Sequence, residues 1–166
     1  MIPQQSVDDV SPRPRSGPEA PLQQYVDERD VQHLAIRYAD ALDRRDWALL
    51  RTCFRPDASI VYPFGPVDGY EAIERLCRQA LDPLDATQHL LGNFAIEVLG
   101  DRATCSSYFQ AQHVRAGTAG GDSYTVGGRY LDDLVHTDGG WKISRRRLER
   151  MWTSGNPAVL TVPRDE

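Results

Sequence analysis

The sequence predicts an α+β domain in which helices come first and a long antiparallel sheet follows. Three observations carry this. Apolar residues between 25 and 42 recur at three- and four-residue steps, the stripe of an amphipathic helix. From residue 88 onward, four long alternating segments succeed one another. Short turns rich in Gly and Asp separate them, as between antiparallel neighbours. Helices before and strands after place the helices on one face of a curved sheet. A curved sheet closed by helices makes a cone whose apolar interior suits a small molecule.

Composition narrows the class. The chain has 166 residues, about one domain, with 40% hydrophobic and 26% charged residues. A net charge of -5 argues against a basic nucleic-acid surface, leaving Arg145-Arg146-Arg147 as a local basic run. No apolar stretch is long enough for a membrane helix, and no basic start leads into an apolar segment, so a cytoplasmic protein is expected. Residues 1–24, rich in Pro and polar residues, are expected to form a flexible arm. The domain is expected over 25–156, with a tail at 157–166. Cys53, Cys77 and Cys105 are odd in number and unpaired by spacing, which suits reduced core thiols.

Taken in order, Tyr25, Val31, Leu34, Ala35, Tyr38, Ala39 and Leu42 form the first helix stripe. Asp43 lies one turn beyond Ala39, at its edge. Asp46 is the N-cap of a short helix from Trp47 to Phe54. Residues 58–62 read as a strand, broken by Pro63-Phe64-Gly65-Pro66. A third helix spans Tyr70 to Leu81, closed by Asp82-Pro83. The expected long strands are 88–99, 102–114, 123–136 and 140–152. In the second of these, Ala103, Cys105, Ser107, Phe109, Ala111 and His113 share a face. In the third, Tyr124, Val126, Gly128 and Tyr130 do, and Gly127-Gly128 permits a bulge or a close approach. Trp47, Trp141 and Trp152 are expected to anchor packing, and His33 and His136 to lie at the surface. The arginines of 145–150 are expected to be solvated or at a subunit contact.

The segments Tyr38-Ala39-Asp40-x-x-Asp43-x-x-Asp46-Trp47, Pro56-Asp57-Ala58, Thr87-Gln88-His89, Gly128-Arg129-Tyr130 and Asp138-Gly139-Gly140-Trp141-Lys142-Ile143 carry a resemblance. In that order and spacing they resemble the SnoaL-like branch of the nuclear transport factor 2 superfamily, over residues 28–153. The resemblance implies a cone-shaped α+β barrel. Within the superfamily the chain is most similar to scytalone dehydratase. That likeness implies catalytic roles for Asp43, Tyr62, His89 and His113. Leu42 stands where that family has a tyrosine, and Gly128 and Tyr130 stand where it has serine and asparagine. These departures argue against scytalone itself as the substrate. The aspartate–histidine pair also resembles that of lindane dehydrochlorinase, another eliminating enzyme.

The expected chemistry follows from the residue types. A neutral histidine can take a proton next to a carbonyl, and an aspartate bonded to its other nitrogen fixes the tautomer and stabilises the imidazolium. His89 is the expected base, Asp43 its partner and Tyr62 the donor to the enolate oxygen. His113 is expected to protonate a leaving hydroxyl or hold the carbonyl. Tyr38, Phe64, Asn93, Phe109 and Tyr130 are the candidate substrate contacts. No phosphate loop or metal-ligand spacing is present, so neither cofactor nor metal is expected. The expected partner is a cyclic or polyketide-like small molecule, with no nucleic acid or membrane, and the assembly a homodimer or homotrimer. Polyketide cyclisation is the alternative chemistry. A non-catalytic binding or assembly role, like that of a ring-hydroxylating dioxygenase small subunit, is the alternative class. It predicts no contact between Asp43 and His89 and a cone filled by side chains.

Overall fold

The computed structural model describes residues 20–160. Most of the expected N-terminal arm and the last six residues lie outside that range. Helix α1 spans Ala20–Arg44, so residues 20–24 of the expected arm are helical. Pro21 falls in the first turn, where an N–H has no partner to lose. The buried side of α1 runs through Asp27, Val31, Leu34 and Tyr38. Tyr25, expected on that stripe, is exposed because two residues before Asp27 is about 200° round the helix. Helix α2 is Trp47–Cys53, and the Asp46 side chain accepts from the Leu49 N–H at 2.9 Å, as its N-cap position predicts.

Strand β1 covers Phe54–Tyr62, starting earlier than expected, and β2 covers Gly65–Asp68. The expected break at residues 63–66 therefore holds a hairpin. Pro66 is compatible with it because β2 is an edge strand, where a missing N–H costs no ladder bond. Helix α3 is Tyr70–Leu81, followed by β3 (Ala86–Leu99), β4 (Arg102–Val114), β5 (Ser123–Thr137) and β6 (Gly140–Gly155). A single 3-10 turn, Pro157–Leu160, buries Val159. The described start of the expected tail thus belongs to the domain.

The α+β class stands. The sheet order is β2-β1-β6-β5-β4-β3, antiparallel except where β1 and β6 run parallel. The sheet is open, with β2 and β3 at its edges, and helices cover one face: α1 lies against β3 and α3 against β1. All six inward residues of β4, from Ala103 to His113, are buried. The three cysteines are buried and free. A bulge falls at Gly127-Gly128. What approaches there is protein: a Cβ on Gly128 would sit 2.2 Å from the Glu149 carbonyl oxygen and 2.8 Å from the Phe109 ring. Trp141 is buried; Trp152 is half exposed, its ring lying over Gly127.

One arginine departs from expectation. Arg146 is 1% exposed and forms a bidentate pair with Asp132, both bonds at 2.7 Å. Alternation from Trp141 and Ile143 would turn Arg145 inward. A bulge opposite Asp133 and Leu134 adds a residue to β6, so Arg146 takes the inward phase while Arg145 and Arg147 face out. The guanidinium carbon lies 4.0 Å from the centre of the Tyr38 ring and 4.2 Å from that of Tyr130. Removing one member of such a pair strands a buried charge. Arg146→Met is expected to cost about 3–5 kcal/mol by urea unfolding, and Arg146→Met with Asp132→Leu to recover much of that loss.

Candidate functional site

The site is built where the end of α1 meets β3. Asp43 is the penultimate residue of the helix. Arg45, at φ 52°, turns the chain out of α1; its guanidinium donates to the carbonyls of Asp43, Leu81 and Leu84, tying the ends of α1 and α3 together. This holds the Asp43 carboxylate against β3. Oδ1 accepts from His89 Nδ1 at 2.6 Å and from Thr87 Oγ1 at 2.9 Å, and Oδ2 accepts from the His89 backbone N–H at 2.8 Å. Thr87 reaches it because residues two apart on a strand share a face. Burial alone would raise the Asp43 pKa, but the bonds and charge of His89, with Thr87, outweigh it and hold the carboxyl below its ordinary range.

The carboxylate fixes the proton of His89 on Nδ1, so Nε2 is the nitrogen left to act as a base. His89 lines a cavity of about 370 Å3 between α1, α3 and the inner face of the sheet. Its walls are mostly apolar, including Leu42, Leu76, Phe109, Val126 and Leu148. That size lies within the ~300–1,000 Å3 usual for small-molecule sites. Larger depressions, of about 680 and 520 Å3, lie on the opposite face of the sheet, away from these groups.

Of the sequence-derived candidates, Tyr38, Tyr62, Phe64, His89, Phe109, His113 and Tyr130 all line this cavity. Asp43 stands behind His89. Asn93 is elsewhere: it is exposed, at φ 51°, in the β3 bulge between Gly92 and Ala95, so it is not a cavity contact. Tyr62 and Phe64 stack with centroids 5.1 Å apart, and the Phe64 ring is largely exposed, which marks the mouth. Phe109 stacks on Tyr130 at 4.3 Å, deep inside. Burial, followed by the nearby Cys77 and Tyr130, keeps the Tyr62 phenol protonated well beyond its ordinary range.

His113 lies with its ring centre 6.0 Å from that of His89. Its Nδ1 faces the Tyr124 carbonyl at 3.1 Å, and a carbonyl only accepts, so Nδ1 carries the proton. Burial first, then the adjacent His89, pull its pKa down to about 4. At neutral pH Nε2 is therefore bare. His113 offers the cavity an acceptor and has no proton to give, contrary to the acid role expected from sequence.

Sequence reasoning missed Thr87 as a donor, Arg45 as a brace, and the pairing of Asp132 with Arg146. The signal for Asp132 was present: the inward series Tyr124, Val126, Gly128, Tyr130 reaches Asp132 two residues on. No group of metal-ligating side chains occurs among the described residues, and none of the described helices is long and apolar enough to cross a membrane.

Comparison with known proteins places this geometry. Residues 23–147 match the SnoaL-like domain. The chain belongs to the SnoaL-like family. An uncharacterized protein of Mycobacterium tuberculosis is 37% identical over 125 residues, covering 72% of this chain and 82% of that one. Terrestric acid biosynthesis cluster protein E of Penicillium crustosum is 32% identical over 126 residues, covering 72% and 80%. Among solved structures, a putative scytalone dehydratase from Novosphingobium aromaticivorans superimposes with a TM-score of 0.72 at 25% identity, covering 80% of this chain and 89% of that one. This SnoaL-like domain holds His89 and His113 on the wall of its cavity.

The depressed His113 pKa has a sign. Between about pH 6.5 and pH 4 the unfolded chain binds a proton that the folded chain refuses, so stability falls as pH falls through that window. His113→Gln is expected to abolish about 2–3 kcal/mol of that fall, read from urea midpoints at pH 7 and pH 4.5.

Proposed function

We propose that this protein is a cofactor-independent lyase or isomerase that removes a proton from carbon next to a carbonyl in a small cyclic substrate. The observation that carries the reading is the 2.6 Å bond from His89 Nδ1 to Asp43, with His89 on the wall of an apolar cavity. A dry wall weakens water as a competing base and strengthens the charge pairing that forms when His89 is protonated. His89 Nε2 takes the proton, the C–H electron pair moves into the carbonyl, and the negative charge collects on oxygen. Collapse of the enolate expels a hydroxyl from the adjacent carbon, and the proton on His89 leaves with it as water. Returning that proton to a different carbon gives isomerisation instead.

Asp43 stabilises the imidazolium and keeps the ring in one tautomer. His113 accepts a hydrogen bond from a substrate hydroxyl, which orients it towards His89. Tyr38, Tyr62 and Tyr130 supply protonated phenols, and Phe64 and Phe109 supply flat walls for a ring. Similarity to the Penicillium cluster protein and to the putative scytalone dehydratase supports a hydroxylated ketone of secondary metabolism as the substrate class. The bonded dyad and the open cavity both speak against the assembly role, which predicts neither.

Screening cyclic hydroxy-ketones for loss of water tests the reading, with solvent deuterium exchange at the α-carbon as a second readout. His89→Ala and Asp43→Asn are each expected to lower turnover by about 10²–10⁴-fold. Unchanged exchange in His89→Ala would remove the base from this account.

A further inference from the structure

Three tyrosines line the cavity, and the positions of their phenols differ in kind. Tyr62 stacks on the exposed Phe64, and the Cys77 thiol lies near its phenol. Among the described residues no cation stacks on the Tyr62 ring. Tyr130 is 2% exposed. It is stacked on Phe109 and packed edge-on against the Tyr38 ring, centroids 5.8 Å apart. Beneath both rings lies the Arg146 guanidinium, 4.0 Å from one centroid and 4.2 Å from the other, anchored at two points by Asp132. One guanidinium nitrogen, Nη1, is buried with no hydrogen-bond partner. A cation held this way at the cost of an orphaned donor points to a use for its field.

That field acts on the phenols. Burial pushes the Tyr130 phenol up to about 12, with Arg146 and then Tyr38 working against it, and Asp132 opposing them more weakly. The Asp43 carboxylate, behind His89, repels a second negative charge.

We propose that Tyr130 is the catalytic donor to the substrate oxygen that becomes negative when the proton leaves, with Tyr38 and the buried Arg146–Asp132 pair as its positioning residues. The inference rests on the proton-transfer reading for the identity of that oxygen, a carbonyl joined to the acidic carbon directly or through a conjugated ring. It assigns the substrate two ends: a C–H and a hydroxyl donor facing the two histidines, and a charge-accepting oxygen on Tyr130. As the proton moves to His89, Tyr130 donates to the oxygen, with the Tyr38 ring packed edge-on behind it. Neither phenol loses its proton, and the charge balance closes between enolate and imidazolium.

The test uses 4-nitrophenol, whose phenolate absorbs visible light and whose phenol does not. Its affinity in each form is measured by titrating protein into ligand across pH. The wild type is expected to bind the phenolate more tightly than the phenol. Tyr130→Phe is expected to reduce that preference by about 10- to 100-fold, the worth of a hydrogen bond to a charged group. Tyr62→Phe is expected to leave it in place. The charge-neutral double variant Arg146→Met with Asp132→Leu is expected to retain phenol affinity and lose part of the phenolate preference, a change that a purely structural pair would not cause. Failure of the wild type to bind phenolate, an unchanged preference in Tyr130→Phe, or a loss confined to Tyr62→Phe overturns the assignment. Turnover does not enter this readout. A wild type that shows the preference yet leaves hydroxy-ketones unchanged removes the proton-transfer reading alone; turnover that depends on His89, with no effect of Tyr130, removes this inference alone.

Discussion

The Asp43 carboxylate joins the end of α1 to the strand that carries His89. It closes α1, which comes early in the chain, and it binds the edge strand β3 through the backbone and side chain of His89 and through Thr87. Edge strands are prone to slip because one side of the ladder is unpaired. Here a three-point contact pins the strand. A shift by one residue would turn His89 out of the cavity and Thr87 away from the carboxylate. The same bonds that set the tautomer of His89 therefore also hold the strand that carries it, and tautomer and register cannot be separated at this position.

The buried ion pair makes a second constraint of a different kind. Arg146 and Asp132 give up water, and a pair of this sort seldom gains net stability over apolar replacements. The neighbouring bulge spends a residue to turn Arg146 inward. Two aromatic faces then replace part of its lost hydration. The pair shapes the electrostatics beneath the cavity floor, while the walls above stay mostly apolar.

Much of this was legible in the sequence. Period-two alternation set the inward face of β4 correctly at all six positions, because an uninterrupted antiparallel strand cannot change phase. The helix stripe worked where packing was continuous and failed at Tyr25, where the angle round the helix decides. The motif resemblance drew Asp43, His89, His113 and Tyr62 into one site, and the cavity does bring them together or back to back. What escaped was set by backbone irregularity. The bulge in β6 inverted the arginine run, and the bulge in β3 turned Asn93 to the outside. The β6 bulge carries no glycine, whereas the β3 bulge does carry Gly92-Asn93, a signal left unused. The tautomer of His113 depends on the Tyr124 carbonyl, a backbone group no sequence pattern announces.

The parallel pairing of β1 with β6 has a consequence for how the chain is made. β6 is the last strand, yet it lies between β1 and β5. During synthesis, β1 and β2 wait as a hairpin with an unfilled edge while β3, β4 and β5 emerge. The sheet becomes continuous only when residues near 150 have left the ribosome, and Leu148 and Leu160 join the cavity wall after its other lining residues. Contacts that span nearly the whole chain make this a slow-folding topology. Nascent chains that stall short of β6 expose two strand edges at once, so truncation before β6 is a route to aggregation even though Asp43, His89 and His113 all precede it.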